Sequence, residues 1–183
     1  MAQTPSGGPR SVPDPPVSPT FPALAFCRDV GRYAGAGREK VVYFLGAEDF
    51  STCTSWELKH GKRLGLVLVG PDLRCCRVTE VVDKGVVRAF WERLFRWLVQ
   101  QSVHRIEQQV EAIDPISLDQ VKDRVAASIQ ANPDDWRDDE AIAGEAGPPR
   151  EEQELLDELV ASVRAAESLP QIINALFSEE LEG

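Results

Sequence analysis

Metal-ligating and nucleophilic residues are scarce in this chain of 183 residues. It has two histidines, His60 and His104, and four irregularly spaced cysteines with no Cys-x-x-Cys pair. Cys75 and Cys76 are adjacent in a predicted strand, so their side chains point to opposite faces and cannot share one metal ion there. The spacing therefore predicts no metal site and no bound cofactor, and it indicates four free thiols.

Long apolar runs are also absent. A membrane-spanning helix needs about 20 consecutive apolar residues, and the longest candidate, Val86 to Val99, is interrupted by three arginines and a glutamate. The N-terminus lacks the basic start and apolar stretch of a secretory signal. We therefore expect a cytoplasmic protein.

Catalytic motifs are missing as well. The sequence contains no Gly-x-Ser-x-Gly motif. Possible nucleophiles lie close in sequence to a possible base where Ser51, Cys53 and Ser55 precede His60. Such proximity arises readily by chance. We therefore predict a protein that is not an enzyme and has no catalytic residues. The alternative is an enzyme whose site is assembled from residues far apart in the sequence.

Charge is divided unevenly along the chain. Residues 28–105 carry 14 Lys or Arg and 9 Asp or Glu, whereas residues 106–183 carry 5 and 20, so their net charges are +5 and −15. A protein that binds duplex nucleic acid needs a cationic face to displace counterions from phosphates, and the acidic half excludes that class. Complementary charge instead favours a basic protein partner.

The N-terminal half predicts a tail followed by a sheet. The first 22 residues hold 7 of the 13 prolines, so residues 1–27 are predicted to be a disordered Pro-rich tail. The body is predicted over residues 28–131. Strands over about 40–82 form an antiparallel meander of three or four strands, and Thr52 to His60 contributes one of them because Trp56 and Leu58 alternate.

A long helix is predicted over about 84–113, because no proline or glycine occurs between Gly85 and Pro115 and Asp83 is placed to cap it. Its apolar residues form two stripes at helical spacing. The first stripe would cover the sheet, and the second would pack against later helices; the second comprises Val99, Val103, Ile106, Val110 and Ile113.

The C-terminal half predicts helices around an acidic linker. Ser117 and Gln120 form a capping box that opens a helix reaching about residue 131. Residues 132–150 are predicted to be an acidic linker, and residues 151–183 a helical arm with two amphipathic helices. The sequence leaves open whether this arm docks on the body. The predicted fold class is therefore α+β, with a meander covered by a long helix and followed by an acidic arm.

The leading functional hypothesis is a non-enzymatic interaction protein, an adaptor or an inhibitor, whose acidic C-terminal half engages a basic protein surface. Trp136 is the expected anchor, because tryptophan is enriched among residues that dominate binding energy. The predicted contact residues are Asp134, Asp135, Trp136, Asp138, Asp139 and Glu140.

A second hypothesis uses the aromatic and basic segment over residues 86–99. An amphipathic helix of this composition is typical of peripheral membrane proteins. Arg88, Arg93 and Arg96 would then contact anions or a membrane surface. The predicted long helix could also join two copies of the chain in a homo-oligomer.

Overall fold

The computed structural model describes residues 17–28, 39–87, 102–133, 136 and 152–181. Within these residues the chain is a mixed α+β protein with one antiparallel sheet of six strands and five helices. The strands are β1 (Ala23–Arg28), β2 (Glu39–Phe44), β3 (Thr52–Thr54), β4 (Val67–Val69), β5 (Cys75–Val86) and β6 (Val103–Ile113). The helices are α1 (Ala47–Phe50), α2 (Ser55–Lys59), α3 (Leu118–Ala131), α4 (Glu152–Ala165) and α5 (Leu169–Leu181).

The sheet is curled. Its strand order is β2-β1-β4-β5-β6-β3, so β2 and β3 lie at opposite edges although only residues 45–51 separate them. A flat sheet of six strands would be about 24 Å wide, whereas this connection, which includes α1, reaches about 21 Å when stretched. The curl therefore brings the two edges toward each other.

The two sheet faces bury separate apolar cores. On β1, Leu24 and Phe26 face the helices, whereas Ala23 and Ala25 face the inside of the curl, as the twofold period of a strand requires. The inner core is completed by Phe44, whose ring meets that of Phe50 at 5.5 Å. The core under α3, α4 and α5 also contains Val41, Val69, Cys75, Val121, Val125, Ile129, Leu156, Val163, Leu169, Ile172 and Ile173.

The prediction of a disordered tail over residues 1–27 is wrong for its last residues. Residues 1–16 lie outside the described part. Residues 23–27 belong to β1, an inner strand of the sheet, because the apolar run Ala-Leu-Ala-Phe-Cys can be buried on both faces. The preceding residues contact the body: Thr20 Oγ1 donates to Asp72 at 3.2 Å. A side chain on Gly70 would meet this hydroxyl, since a Cβ there would lie 1.9 Å from it.

The long helix predicted over 84–113 is wrong at both described ends, since Lys84 lies in β5 and residues 103–113 form β6. Asp83, the expected helix cap, also lies in β5. Residues 88–101 lie outside the described residues. The helical spacing arose because the apolar residues of β6 are divided between two faces: Ile106 and Val110 occupy one, and Val103 and Ile113 occupy the other. The alternation was hidden by two polar residues, His104 and Gln108, on the first face.

The predicted meander is partly wrong. Thr52 to His60 is a three-residue strand followed by α2, because Thr54 and Glu57 form a capping box that begins a helix. β3 pairs with β6, and β4 lies beside β1, so the strands do not follow one another in chain order. In β5, an irregularity between Val78 and Glu80 places Val81 on the same face as Val78, against the inner core, although the two residues are an odd number of positions apart.

The helices near the C-terminus follow the sequence closely. Ser117 caps α3, and its hydroxyl accepts the Gln120 N–H while the Gln120 side chain accepts the Ser117 N–H, as predicted. The structure settles the question that the sequence left open for α4 and α5, because their apolar sides enter the same core as β1 and β2. Phe177 of α5 stacks on Tyr43 of β2 at 4.2 Å. These helices are therefore part of the body.

Candidate interaction surfaces

A short segment after β3 is held rigidly against the sheet. The Thr54 hydroxyl accepts the Glu57 N–H at 3.2 Å, and the Glu57 carboxylate accepts the Thr54 N–H at 2.8 Å. Arg63 then fixes the turn that follows α2: its Nη2 donates to the Thr52 carbonyl at 2.9 Å, and its guanidinium lies 4.7 Å from the centre of the Phe44 ring. The Arg63 side chain is only 12 % exposed. The segment is therefore anchored by Arg63, and its exposed side chains include Trp56, Lys59, His60 and Leu64.

Those outward side chains form an aromatic and basic surface. The Trp56 side chain is 47 % exposed and Leu64 is 59 % exposed. The Trp56 ring stacks on His60 at 4.6 Å, and Lys62 Nζ lies 5.3 Å from its centre. We call this surface the Trp56 patch; it comprises Trp56, Lys59, His60, Lys62 and Leu64.

A second surface has the opposite charge. The buried side of α4 places Leu156 and Val163 in the core. Its outer side exposes three carboxylates within about one turn and small residues on the next turn. We call this surface the acidic α4 face; it comprises Glu154, Asp157, Glu158, Ala161 and Ala165.

The contact residues predicted from the sequence are not assembled into a site in the described structure. Trp136 packs on the protein's own core, with its ring 5.8 Å from that of Phe177. Its Nε1 is buried and makes no hydrogen bond with the described residues. The structure therefore places Trp136 beside the protein's own core, and its role as an anchor for a partner stays a prediction. The other predicted contacts lie outside the described residues, and so do the proposed anion contacts: Asp134, Asp135, Asp138, Asp139, Glu140, Arg88, Arg93 and Arg96.

The segment 86–99 of the membrane hypothesis is described only at its first two residues, where Val86 ends β5. In the described part of the chain, no helix is long and apolar enough to cross a membrane.

Cys53 neighbours His104 rather than His60. The two residues are partners in the β3–β6 register, so their side chains share a face. His104 Nδ1 lies 3.1 Å from both carboxylate oxygens of Asp83. The pKa of Asp83 is lowered, first by the Gly85 N–H, which donates to it at 2.8 Å, and then by His104.

This arrangement resembles a nucleophile, a base and an orienting acid, but the thiol is unsuited to catalysis. Cys53 is 3 % exposed, and burial raises its pKa, so the sulfur is protonated at neutral pH. The described residues also contain no group of three or more His, Cys, Asp or Glu that could hold a metal ion. In this geometry His104 and Asp83 join the ends of β5 and β6.

An open groove of about 590 Å³ lies between α3 and the turn after α2. Phe26 and Val67 contribute apolar lining, and Lys62 and Leu64 of the Trp56 patch line it as well. Arg124 also lines the groove, but it forms a two-point ion pair with Glu39 through bonds of 2.6 and 3.0 Å. That arginine is therefore already engaged in joining α3 to β2.

Comparison of the chain with protein-family models, with curated proteins and with solved structures gave no match. The fold and surfaces define the class, a mixed α+β protein with two exposed and oppositely charged surfaces. The function is therefore argued from these surfaces alone.

Sequence reasoning missed the Trp56 patch. The alternation of Trp56 and Leu58 in the sequence predicts a strand, which would place both side chains on one sheet face. Two signals in the sequence identify the segment: the capping box from Thr54 to Glu57, and the basic run Lys-His-Gly-Lys-Arg over residues 59–63. A capping box predicts a helix and therefore an exposed side for Trp56.

Proposed function

We propose that this protein is a non-enzymatic interaction protein, an adaptor or an inhibitor, whose acidic C-terminal half engages a basic protein surface. The acidic α4 face is the observation that carries the proposal. Residues 151–183 hold nine Asp or Glu and a single basic residue, Arg164. Because the apolar side of α4 is buried in the core, the carboxylates of Glu154, Asp157 and Glu158 are held toward solvent on a fixed surface.

A fixed acidic surface is suited to selecting partners by charge. Complementary potentials raise the association rate of a basic partner, and like-charge contacts suppress wrong partners. Exposed ion pairs contribute about 0 to 1 kcal/mol each, so several carboxylates must act together. We therefore expect binding that weakens strongly as salt is added.

The compartment that we propose is the cytoplasm. All four cysteines lie within the described part of the chain and are free thiols, three of them buried. Adjacent buried thiols at Cys75 and Cys76 are consistent with a reducing compartment, where disulfides are rare.

The test uses surface substitutions rather than deletion, because removal of residues 115–183 would expose the core face of β1 and β2. The tagged protein and its Glu154→Lys/Asp157→Lys variant are used to capture proteins from a lysate of the cells that produce it, in low and high salt. Glu48→Lys/Glu80→Lys is the matched control, since both residues are exposed and the change in net charge is the same.

We expect a basic protein that is retained by the wild type and the control, is lost by the α4 variant and is released by high salt. Retention of the same proteins by the α4 variant would contradict the proposal. Circular dichroism of each variant checks that the fold is unchanged.

A further inference from the structure

The Trp56 patch carries a charge opposite to that of the whole protein. The chain has a net charge of −10, yet His60 and Lys62 lie against the exposed Trp56 ring and Lys59 is exposed one helical turn away. Glu57, the acidic residue of α2, is turned to the capping box and to Arg63, 3.4 Å from its Nη2. An acidic partner is therefore repelled by the average field of the molecule and attracted locally by this patch.

We infer that the Trp56 patch docks on the acidic α4 face of a second copy of this chain. This inference rests on the proposed function, because it names the basic surface that the acidic face engages. Charge complementarity identifies the occupant: the patch offers the exposed ammonium group of Lys59, and the acidic α4 face offers the exposed carboxylates of Glu154 and Asp157.

The spacing of the two surfaces also agrees. On α2, Trp56 and Lys59 are three residues apart and lie about one helical turn from each other. On α4, Asp157 and Ala161 have the same separation of one turn. Lys59 can therefore approach the carboxylates while the indole ring covers Ala161 and Ala165, whose small side chains leave a flat area for it.

The contact must form between molecules. Trp56, Lys59, Glu154 and Asp157 are all exposed in the same chain, so neither surface covers the other. The two surfaces differ, and one copy would use its patch while the next uses its α4 face. Such a contact either closes into a ring, of which a twofold dimer with two identical patch-to-face contacts is the smallest, or continues as an open chain.

The anchoring of the patch favours this association. The capping box and the Arg63 contacts fix α2 and its turn, so little additional ordering is required when a partner docks. Tryptophan is the residue type most enriched at the centres of binding interfaces. The charged groups add attraction that salt weakens.

The experiment is sedimentation velocity of the full chain over a range of concentrations, in low and high salt. The wild type should associate as concentration rises, and high salt should dissociate it. Lys59→Glu/Lys62→Glu and Glu154→Lys/Asp157→Lys should each weaken association by about a hundredfold or more, because like charges then face each other. Trp56→Ala should weaken it by about tenfold or more.

The decisive sample is a mixture of the two double variants. Each is expected to be monomeric alone, whereas the mixture should associate, because the reversed patch of one meets the reversed α4 face of the other. Arg74→Glu/Lys84→Glu is the matched control; both side chains are exposed and lie outside the patch, so this variant should associate like the wild type.

Several results would overturn the inference. If the wild type remains monomeric at every concentration, the inference is overturned. The proposed function would still stand or fall by the capture of proteins from the lysate. Loss of association in the α4 variant but not in the patch variant would retain the acidic face as a binding surface and reject the Trp56 patch as its partner. Binding of a single-stranded oligothymidine that depends on Lys59 and Lys62, without self-association, would reassign the patch to nucleic acid.

Discussion

Replacement of Ile172 by alanine tests whether α5 is part of the body. Ile172 is 0 % exposed and packs in the core shared by α3, α4 and the sheet. The change removes three carbon atoms, and a buried methylene contributes about 0.8 kcal/mol. The remaining cavity adds a further cost. We therefore expect the free energy of unfolding to fall by about 3 to 4 kcal/mol, a large part of the roughly 5 to 15 kcal/mol typical of a domain.

Urea unfolding measures this effect. The midpoint should fall by about 1 to 4 M, given slopes of about 1 to 3 kcal/mol/M. Circular dichroism and tryptophan fluorescence should report a single coincident transition, because one core unfolds as a unit. Asn174→Ala is the control, since Asn174 is exposed on the same helix. A cost below about 1 kcal/mol, or a separate early transition of the helices, would refute the packing described above.

Three further predictions concern a cap, a titrating group and a thiol. Ser117→Ala should lower the free energy of unfolding by about 1 kcal/mol through loss of the α3 cap, whereas Ser117→Asp, which can still cap, should change it little; equal effects in urea unfolding would contradict the capping role. The pKa of Asp83 is lowered, so its ionised form stabilises the fold fully above the ordinary pKa of about 3.9. This stabilisation is lost as the pH falls through the lowered pKa. Asp83→Asn should therefore be less stable than the wild type at neutral pH and equally stable in acid; if urea unfolding gives the same difference in stability at both pH values, the assignment is rejected. Burial, and to a smaller extent the neighbouring Cys75, raises the pKa of Cys76 to about 11. Cys76 should therefore react with Ellman's reagent only after unfolding, and later than the half-buried Cys27. Rapid labelling of Cys76 in the native protein, mapped by mass spectrometry, would contradict this prediction, because it would show that the thiol is accessible.

Local signals in the sequence predicted the elements that depend on neighbouring residues. The apolar β-branched run in β2 and the capping box of α3 each identify an element from a few adjacent positions. The apolar stripes of α4 and α5 indicate which sides are buried, and the structure places Leu156 and Val163 in the core. These features follow from hydrogen-bond geometry and periodicity, which are local properties of the chain.

The parts that the sequence did not predict depend on contacts between distant segments. In β6, Gln108 occupies an inward position because its amide donates to the carbonyl of Phe50, 58 residues earlier in the chain. His104 occupies another inward position because Asp83 of β5 lies beside it. A polar residue on an inward face breaks the apolar alternation by which a strand is recognised. The Trp56 patch was missed for a related reason, since its exposure depends on Arg63 fixing the turn to β3 and Phe44.

The attachment of α3 to the sheet edge has a consequence for solubility. Ser128 Oγ and Asn132 Nδ2 both donate to the carbonyl oxygen of Glu39 at the start of the edge strand β2, at 2.8 and 3.0 Å. An edge strand with unpaired backbone groups is a template on which another chain can add a strand. These two side chains occupy one of those groups, and the bulk of α3 obstructs the approach of a second strand. The same helix that seals the core therefore also occupies part of the β2 edge to which a second strand would have to bond.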